Sequence, residues 1–198
     1  MPKVVDHADR RRRLTEAVWT LTIRDGLEGV TLRKVATEAG VSMGQVQHYY
    51  GTMQELVRDA MLRAVNAVNA RIEASLQAAG TTDAEAALRA CLQAMLARDE
   101  EGARLLRLGV ATLSRSITDP DMARVLDPGD DDELLSFTST LIAAAREARG
   151  AAPGGDHLIE ADICWTLAAS LGVDVMRGAR SPEDAQKVLD HYLDSILG

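Results

Sequence analysis

Met43, Gln45, Gln47, His48 and Tyr49 bring hydrogen-bonding and apolar side chains together on one short stretch with almost no formal charge. Base edges in the DNA major groove are read by groups of this kind, through hydrogen bonds and apolar contacts. Glutamine can donate and accept at once toward adenine, so Gln47 is expected to pair with that base. Catalytic chemistry has far less to work with. The four histidines, His7, His48, His157 and His191, belong to no Glu-x-x-His repeat of the sort that builds metal sites in helical bundles. His157 with Glu160, and Asp190 beside His191, read as surface polar residues near helix ends. Gly150–Gly155 lacks the Lys-Ser/Thr element and preceding strand of a phosphate loop. Cys91 and Cys164 stand singly and read as buried thiols in a reducing cytoplasm. No metal and no cofactor is expected, and a helical enzyme is a remote alternative.

The base-reading residues need a short helix held at an angle against another. Thr31 opens one helix through Ala39, with Leu32, Val35 and Ala36 inward. Gly40 ends it and can take the positive φ that a sharp inter-helix turn needs. Ser42 opens the next, and its spacing to Gln45 is that of a capping box. Val35, Ala36, Val41 and Val46 can form the seam, with Ala36 and Gly44 small enough for close backbone approach. A preceding helix from about Ala8 to Asp25 carries Leu14, Val18 and Leu21 at helical spacing and is followed by Gly26. Beyond Gly51, Thr52 with Glu55 and Thr82 with Glu85 repeat the capping-box signal, for helices to about Ala79 and Arg98. Further helices span about 102–117, 131–149, 156–178 and 181–197, separated by turns at Asp119-Pro120, Asp127–Asp130 and Gly150–Gly155. No period-2 strand runs occur, so the fold class is all-α.

The formal net charge of −8 argues at first against a nucleic-acid partner. Its distribution weakens the objection: residues 1–60 carry nine Lys/Arg against eight Asp/Glu, whereas 61–198 carry 13 against 22. Arg10–Arg13 is the densest charge in the chain. Four consecutive helical residues point around the whole helix, so at most two share a face. By itself such a run reads as a solvated helix face.

The segment Thr31-Leu-Arg-Lys-Val-Ala-Thr-Glu-Ala-Gly-Val-Ser-Met-Gly-Gln-Val-Gln-His-Tyr-Tyr50, with the Gly26 to Thr31 spacing before it and Glu55-Leu56 after it, resembles the DNA-binding module of the TetR family of bacterial regulators. The likeness covers about residues 9–57. It implies an N-terminal three-helix helix-turn-helix domain, 1–51, joined by a long helix to a C-terminal helical ligand-binding and dimerisation domain, 52–198. It also implies that Thr31, Arg33, Ser42, Tyr49 and Thr52 hold phosphates or position the helix, and that Met43, Gly44, Gln45, Gln47 and His48 meet bases. Two residues depart from the family's usual pattern. Gln47 stands where an aromatic is common, and Met53 where a Lys is common, which removes one expected phosphate contact.

One recognition helix per chain calls for a pair, since helix-turn-helix dimers place two of them about 34–36 Å apart on (pseudo)palindromic operator DNA. Ile159, Ile163, Leu167 and Leu171, with Val188, Tyr192 and Ile196, form stripes suited to a homodimer interface, although packing within the same chain would use them equally well. The resemblance implies a small-molecule effector pocket, with Met61, Val65, Leu88, Cys91, Leu92, Met95, Leu108, Phe137, Leu141 and Trp165 as candidate linings. The shortage of aromatics disfavours a multi-aromatic cage for a quaternary ammonium and favours an apolar or amphipathic ligand. The expected function is a repressor released from its operator by that ligand, with a ligand-independent regulator or an activator as alternatives. No apolar run reaches the roughly 18 residues of a membrane span, and the N-terminus has no secretory pattern, so a cytoplasmic location without membrane partners is expected.

Overall fold

Leu14, Ala17, Val18 and Leu21 recur at three- and four-residue spacing, and α1 (His7–Asp25) buries all four. In this computed structural model, which describes residues 7–80, 82–124, 129–152 and 154–198, the described residues form helices and connecting turns without strands. After α1 and one 3₁₀ turn at Leu27–Gly29 come α2 (Leu32–Glu38), α3 (Met43–Tyr49), α4 (Met53–Ala79), α5 (Ala84–Gln93), α6 (Glu100–Ser116), α7 (Pro120–Ala123), α8 (Gly129–Ala148), α9 (His157–Met176) and α10 (Pro182–Leu197).

The chain packs as two units that cut across the expected boundary at Gly51. Residues 1–66 and 107–126 make the first, and residues 67–106 and 127–198 the second. In the first, Val18, Leu21, Val35, Val46, Leu56, Met61 and Leu108 are fully buried in one core. The Trp19 indole N–H donates to the Ala60 carbonyl at 2.7 Å and ties α1 to α4. The long helix and the end of α6 thus supply walls of the first core, which is why the unit extends past the three-helix module.

In the second unit α8, α9 and α10 pack with α5 around Leu88, Leu92, Leu96, Ile142, Leu189, Leu193 and Leu197. The buried side of α9 is made mostly of small residues, Ala161, Cys164, Ala168 and Gly172, with Leu171 beside them. A Cβ added at Gly172 would lie 2.1 Å from the Met95 carbonyl oxygen, so only glycine permits this approach. Around the core, Arg89 pairs with Glu85, Asp190 and Asp194, and Arg149 pairs with Glu85 and Asp194.

The helix expected through Arg98 ends instead at Gln93. Ala97 takes a left-handed φ of 49°, and the Asp99 carboxylate accepts the Gly102 N–H at 2.7 Å to start α6. Asp83, not Thr82, caps α5, accepting the Glu85 N–H. Part of the turn expected at Asp127–Asp130 falls outside the described residues, and Asp119-Pro120 begins the one-turn helix α7.

Candidate nucleic-acid interface

Helix α3 is only seven residues long and could not persist alone. Three local devices hold it. Gly40, with φ of 65°, turns the chain, and Val41 N–H donates back to the Ala36 carbonyl at 2.9 Å. Ser42 Oγ accepts the Gln45 N–H at 3.2 Å while Gln45 Oε1 accepts the Ser42 N–H at 3.1 Å, completing the capping box. Val46 is fully buried and anchors the helix to the first core. Ala36 is buried at the α2–α3 seam, but Gly44 is not part of it: a Cβ there would meet only Ser42 Oγ, at 4.0 Å.

The outward face of α3 therefore consists of Met43, Gly44, Gln45, Gln47 and His48, all exposed. Met43 is half exposed although apolar. Gln45 has two tasks: its carbonyl oxygen is committed to the cap, which leaves its amide N–H groups to face outward. Tyr49 is half-buried between two imidazoles, with ring centroids 5.4 Å from His48 and 5.6 Å from His7.

Besides Ser42, whose Oγ caps α3, two of the expected phosphate-side hydroxyls already have structural partners. Thr31 Oγ1 accepts the Lys34 N–H at 3.3 Å and caps α2. Thr52 Oγ1 accepts the Glu55 N–H at 3.1 Å, and the Glu55 carboxylate accepts the Gly51 N–H at 3.0 Å, one residue before the reciprocal position of a capping box. A hydroxyl can still donate its own hydrogen, so both remain able to contact phosphate. Met53 is partly buried against the first core, which accounts for an apolar residue where the related module commonly has Lys.

The module also contains a buried polar station that the motif alone does not reveal. Tyr50 is 4% exposed, and its hydroxyl donates to Asp59 at 2.5 Å. Arg63 pairs with the same carboxylate, and the Arg11 guanidinium lies 5.1 Å from the Tyr50 ring centre. Burial, reinforced by the Asp59 carboxylate, pushes the Tyr50 phenol above its ordinary pKa, so it stays a donor. Arg11 also donates to the Tyr49 carbonyl at the end of α3. The only sequence signal for this station was the Arg10–Arg13 run, of which Arg12 pairs with Asp9 and Glu16, Arg13 pairs with Asp9, and Arg11 packs on Tyr50.

The residues proposed for the effector and the dimer are dispersed. Met61 and Leu108 are buried in the core of the first unit, and Val65 is partly buried. Cys91 lies in a small cluster with Ile72 and Ala94 in the second unit, Leu88 and Leu92 are fully buried in its main core, and Met95, Leu141 and Trp165 pack against that core. Phe137 is 43% exposed. On α9, Ile159 and Ile163 are 59% and 44% exposed and Leu167 is partly buried, whereas Leu171 is consumed by its own core. On α10 the buried stripe is Ala185, Leu189, Leu193 and Leu197, leaving Val188, Tyr192 and Ile196 half-buried beside it. Among the described residues no cluster of three or more His, Cys, Asp or Glu could hold a metal, and no helix is long and apolar enough to cross a membrane.

Residues 14–60 match the family model "Bacterial regulatory proteins, tetR family", and residues 84–198 match "BetI-type transcriptional repressor, C-terminal". The HTH-type transcriptional regulator PksA of Bacillus subtilis is 30% identical over 198 residues, spanning 99% of this chain and 94% of its own. The HTH-type transcriptional regulator BetI of Burkholderia thailandensis is 31% identical over 203 residues, spanning 100% of this chain and 98% of its own. A crystal structure of a transcriptional regulator from Rhodococcus sp. superposes with a TM-score of 0.81 at 25% identity, covering 94% of this chain and 95% of the other. A putative transcriptional regulator from Saccharomonospora viridis, solved in complex with choline, has the same fold, with a TM-score of 0.81 at 20% identity, covering 94% of this chain and 96% of the other. With its helix-turn-helix segment and its C-terminal segment both matched, the chain belongs to the TetR family as a DNA-binding transcriptional regulator.

Proposed function

We propose that this regulator is a repressor that binds a (pseudo)palindromic operator as a homodimer and leaves it when a small molecule binds the second unit. The observation that carries the reading is the outward face of α3: a capped, core-anchored helix presenting Gln47, His48 and the Gln45 amide with almost no charge. Gln47 and His48 are the base readers, and Thr31, Arg33, Ser42, Tyr49 and Thr52 hold the flanking phosphates. The α9 stripe of Leu158, Ile159 and Ile163, 44% exposed or more, together with half-buried Val188, Tyr192 and Ile196 of α10, supports pairing through the last two helices. Buried Leu171 is excluded from that interface.

The choline in the Saccharomonospora viridis relative raises the question of a quaternary ammonium here. The second unit offers Phe137, Trp165 and Tyr192 as its aromatics, and the Trp165 indole N–H is spent on Thr138 at 2.9 Å. Among the described residues, the ring–ring contacts lie only in the first unit. We therefore favour an apolar or amphipathic effector over a bare quaternary ammonium. A ligand that prefers a conformation with mis-spaced recognition helices would release DNA by population shift.

The test is selection of the purified chain on a random-sequence duplex pool at stated salt, followed by a reporter fused to the recovered site. The expected result is a two-fold symmetric sequence and higher reporter expression when the regulator is deleted. Failure to enrich any sequence would refute sequence-specific binding, and lower expression on deletion would make the protein an activator.

A further inference from the structure

The phosphate grip of this module is one contact short by its motif, because Met53 packs against the core where a Lys would reach the backbone of DNA. The ion pairs of the module point to a substitute. Of its described cations, Arg12, Arg13, Arg24 and Lys34 each pair with a carboxylate, and Arg11 is engaged with Tyr49 and Tyr50. Lys34 is held on two sides, by Asp25 at 2.9 Å and the Gly29 carbonyl at 3.0 Å. Arg10, Arg33 and Arg58 have no carboxylate within ion-pair distance among the described residues. Arg33 is already placed at a phosphate by the family pattern, and Arg10 belongs to the run at the start of α1. Arg58 is the cation that nothing else explains.

We propose that Arg58, on the second turn of α4, supplies the DNA-phosphate contact that Met53 cannot make. This rests on the DNA-binding reading above. Arg58 is exposed. It lines a hollow of about 420 Å³ with Arg11 and Tyr49, and a second of about 570 Å³ with Thr52 and Gln54. It therefore borders both ends of the α3–α4 connection, between Tyr49 and Thr52, where phosphate-side residues are expected. Helical side chains lean toward the N-terminus of their helix, so a long side chain at position 58 covers the turn that begins at Thr52. Carboxylates of Glu28, Glu55, Asp119 and Asp121 line the second hollow with it. Glu55 is turned to the Gly51 N–H, Asp119 to Arg115 and the start of α7, and Asp121 to Arg124. Arg58 pairs with none of these four, so its charge remains available to an outside anion. Guanidinium is well suited to phosphate oxygens, since its donors match them in pairs.

The experiment measures log Kd against log salt by fluorescence anisotropy, using the duplex recovered from random-sequence selection on the wild-type chain. Arg58→Gln should make the slope shallower by roughly 0.9 for each bound subunit, with base preference unchanged. Arg13→Gln, which removes a cation already paired with Asp9, should leave the slope as it was. Adding Met53→Lys to Arg58→Gln should restore the slope, which a purely structural role for Arg58 would not produce. Arg58→Lys keeps the charge and should keep the slope even if Arg58→Gln is poorly folded. A wild-type slope in a folded Arg58→Gln variant would overturn the proposal, as would a lowered slope in Arg58→Lys or an equal loss in Arg13→Gln. Absence of wild-type binding to any selected duplex would instead defeat the DNA-binding reading.

Discussion

Gly44→Ala separates the stability of the recognition helix from its use, because the two should change in opposite directions. Gly44 is the second residue of α3, and a Cβ built there meets nothing closer than Ser42 Oγ at 4.0 Å. The methyl group therefore enters open space, and alanine restricts the unfolded chain more than glycine does. The gain should be about 0.5–1 kcal/mol. For a chain of this length that raises the melting temperature by about 1–4 °C. On the proposed reading, the same methyl stands on the face that meets DNA in the complex. If base edges approach this face as closely as its low profile allows, overpacking costs about 1–3 kcal/mol. That corresponds to roughly a five- to 150-fold weaker Kd. Scanning calorimetry and anisotropy on the selected duplex give both values from one preparation. An unchanged Kd would show that DNA does not approach Gly44, and a lowered melting temperature would show that the position is not open.

Gly172→Ala should act only on the fold. Its Cβ would collide with the backbone oxygen of Met95, so the second unit should lose about 1–3 kcal/mol in chemical denaturation, and wild-type stability would contradict that approach. Gln47→Ala should relax preference at a single base position and weaken binding to the best site by about 1–3 kcal/mol, while an unaltered selected sequence would remove Gln47 from the readout. Burial pushes the Cys91 thiol up to about 11 and the Cys164 thiol up to about 12. Neither should react with iodoacetamide at pH 8 in the native protein, and rapid labelling would show that one is accessible. Arg24 first and then Lys34 hold the Asp25 carboxyl down from 3.8 to about 2. Its contribution to stability is present above pH 3.8 and is lost as pH falls through about 2, so Asp25→Asn should flatten the melting-temperature curve in that window. A curve parallel to wild type there would deny the pairing.

Local chemistry was legible in the sequence where the partners are three or four residues apart. Ser42 with Gln45 and the glycines at 26 and 40 are where their spacing placed them, because one helical turn brings those atoms together in any fold. The buried stripe of α1 follows from the same periodicity. Even at short range, competing demands can mislead. Gln45 belongs both to the cap and to the outward face, and only the structure divides its oxygen from its amide hydrogens. Thr82 and Asp83 are both competent caps, and Asp83 takes the role.

Long-range pairing was decided by the tertiary structure alone. Arg89 meets Asp190 across 101 positions, and Arg149 meets Glu85 across 64. Gly172 is required by Met95, in the turn that follows α5. On α10 the stripe Val188, Tyr192 and Ile196, read from sequence as a candidate dimer face, lies half-buried beside the core stripe Ala185, Leu189, Leu193 and Leu197, and only packing shows which of two adjacent apolar faces turns inward. The cations of the DNA-binding module follow the same rule. Composition counts them, but charge acts on DNA only where no carboxylate neutralises it, and Arg24 meets Glu38 across 14 positions through the packing of α1 against α2. The sequence therefore determined that this chain carries a helix-turn-helix with a nearly uncharged reading face. Which arginines stand without a carboxylate partner among the described residues was settled by the fold, because neutralisation depends on distances that close only after the helices have packed.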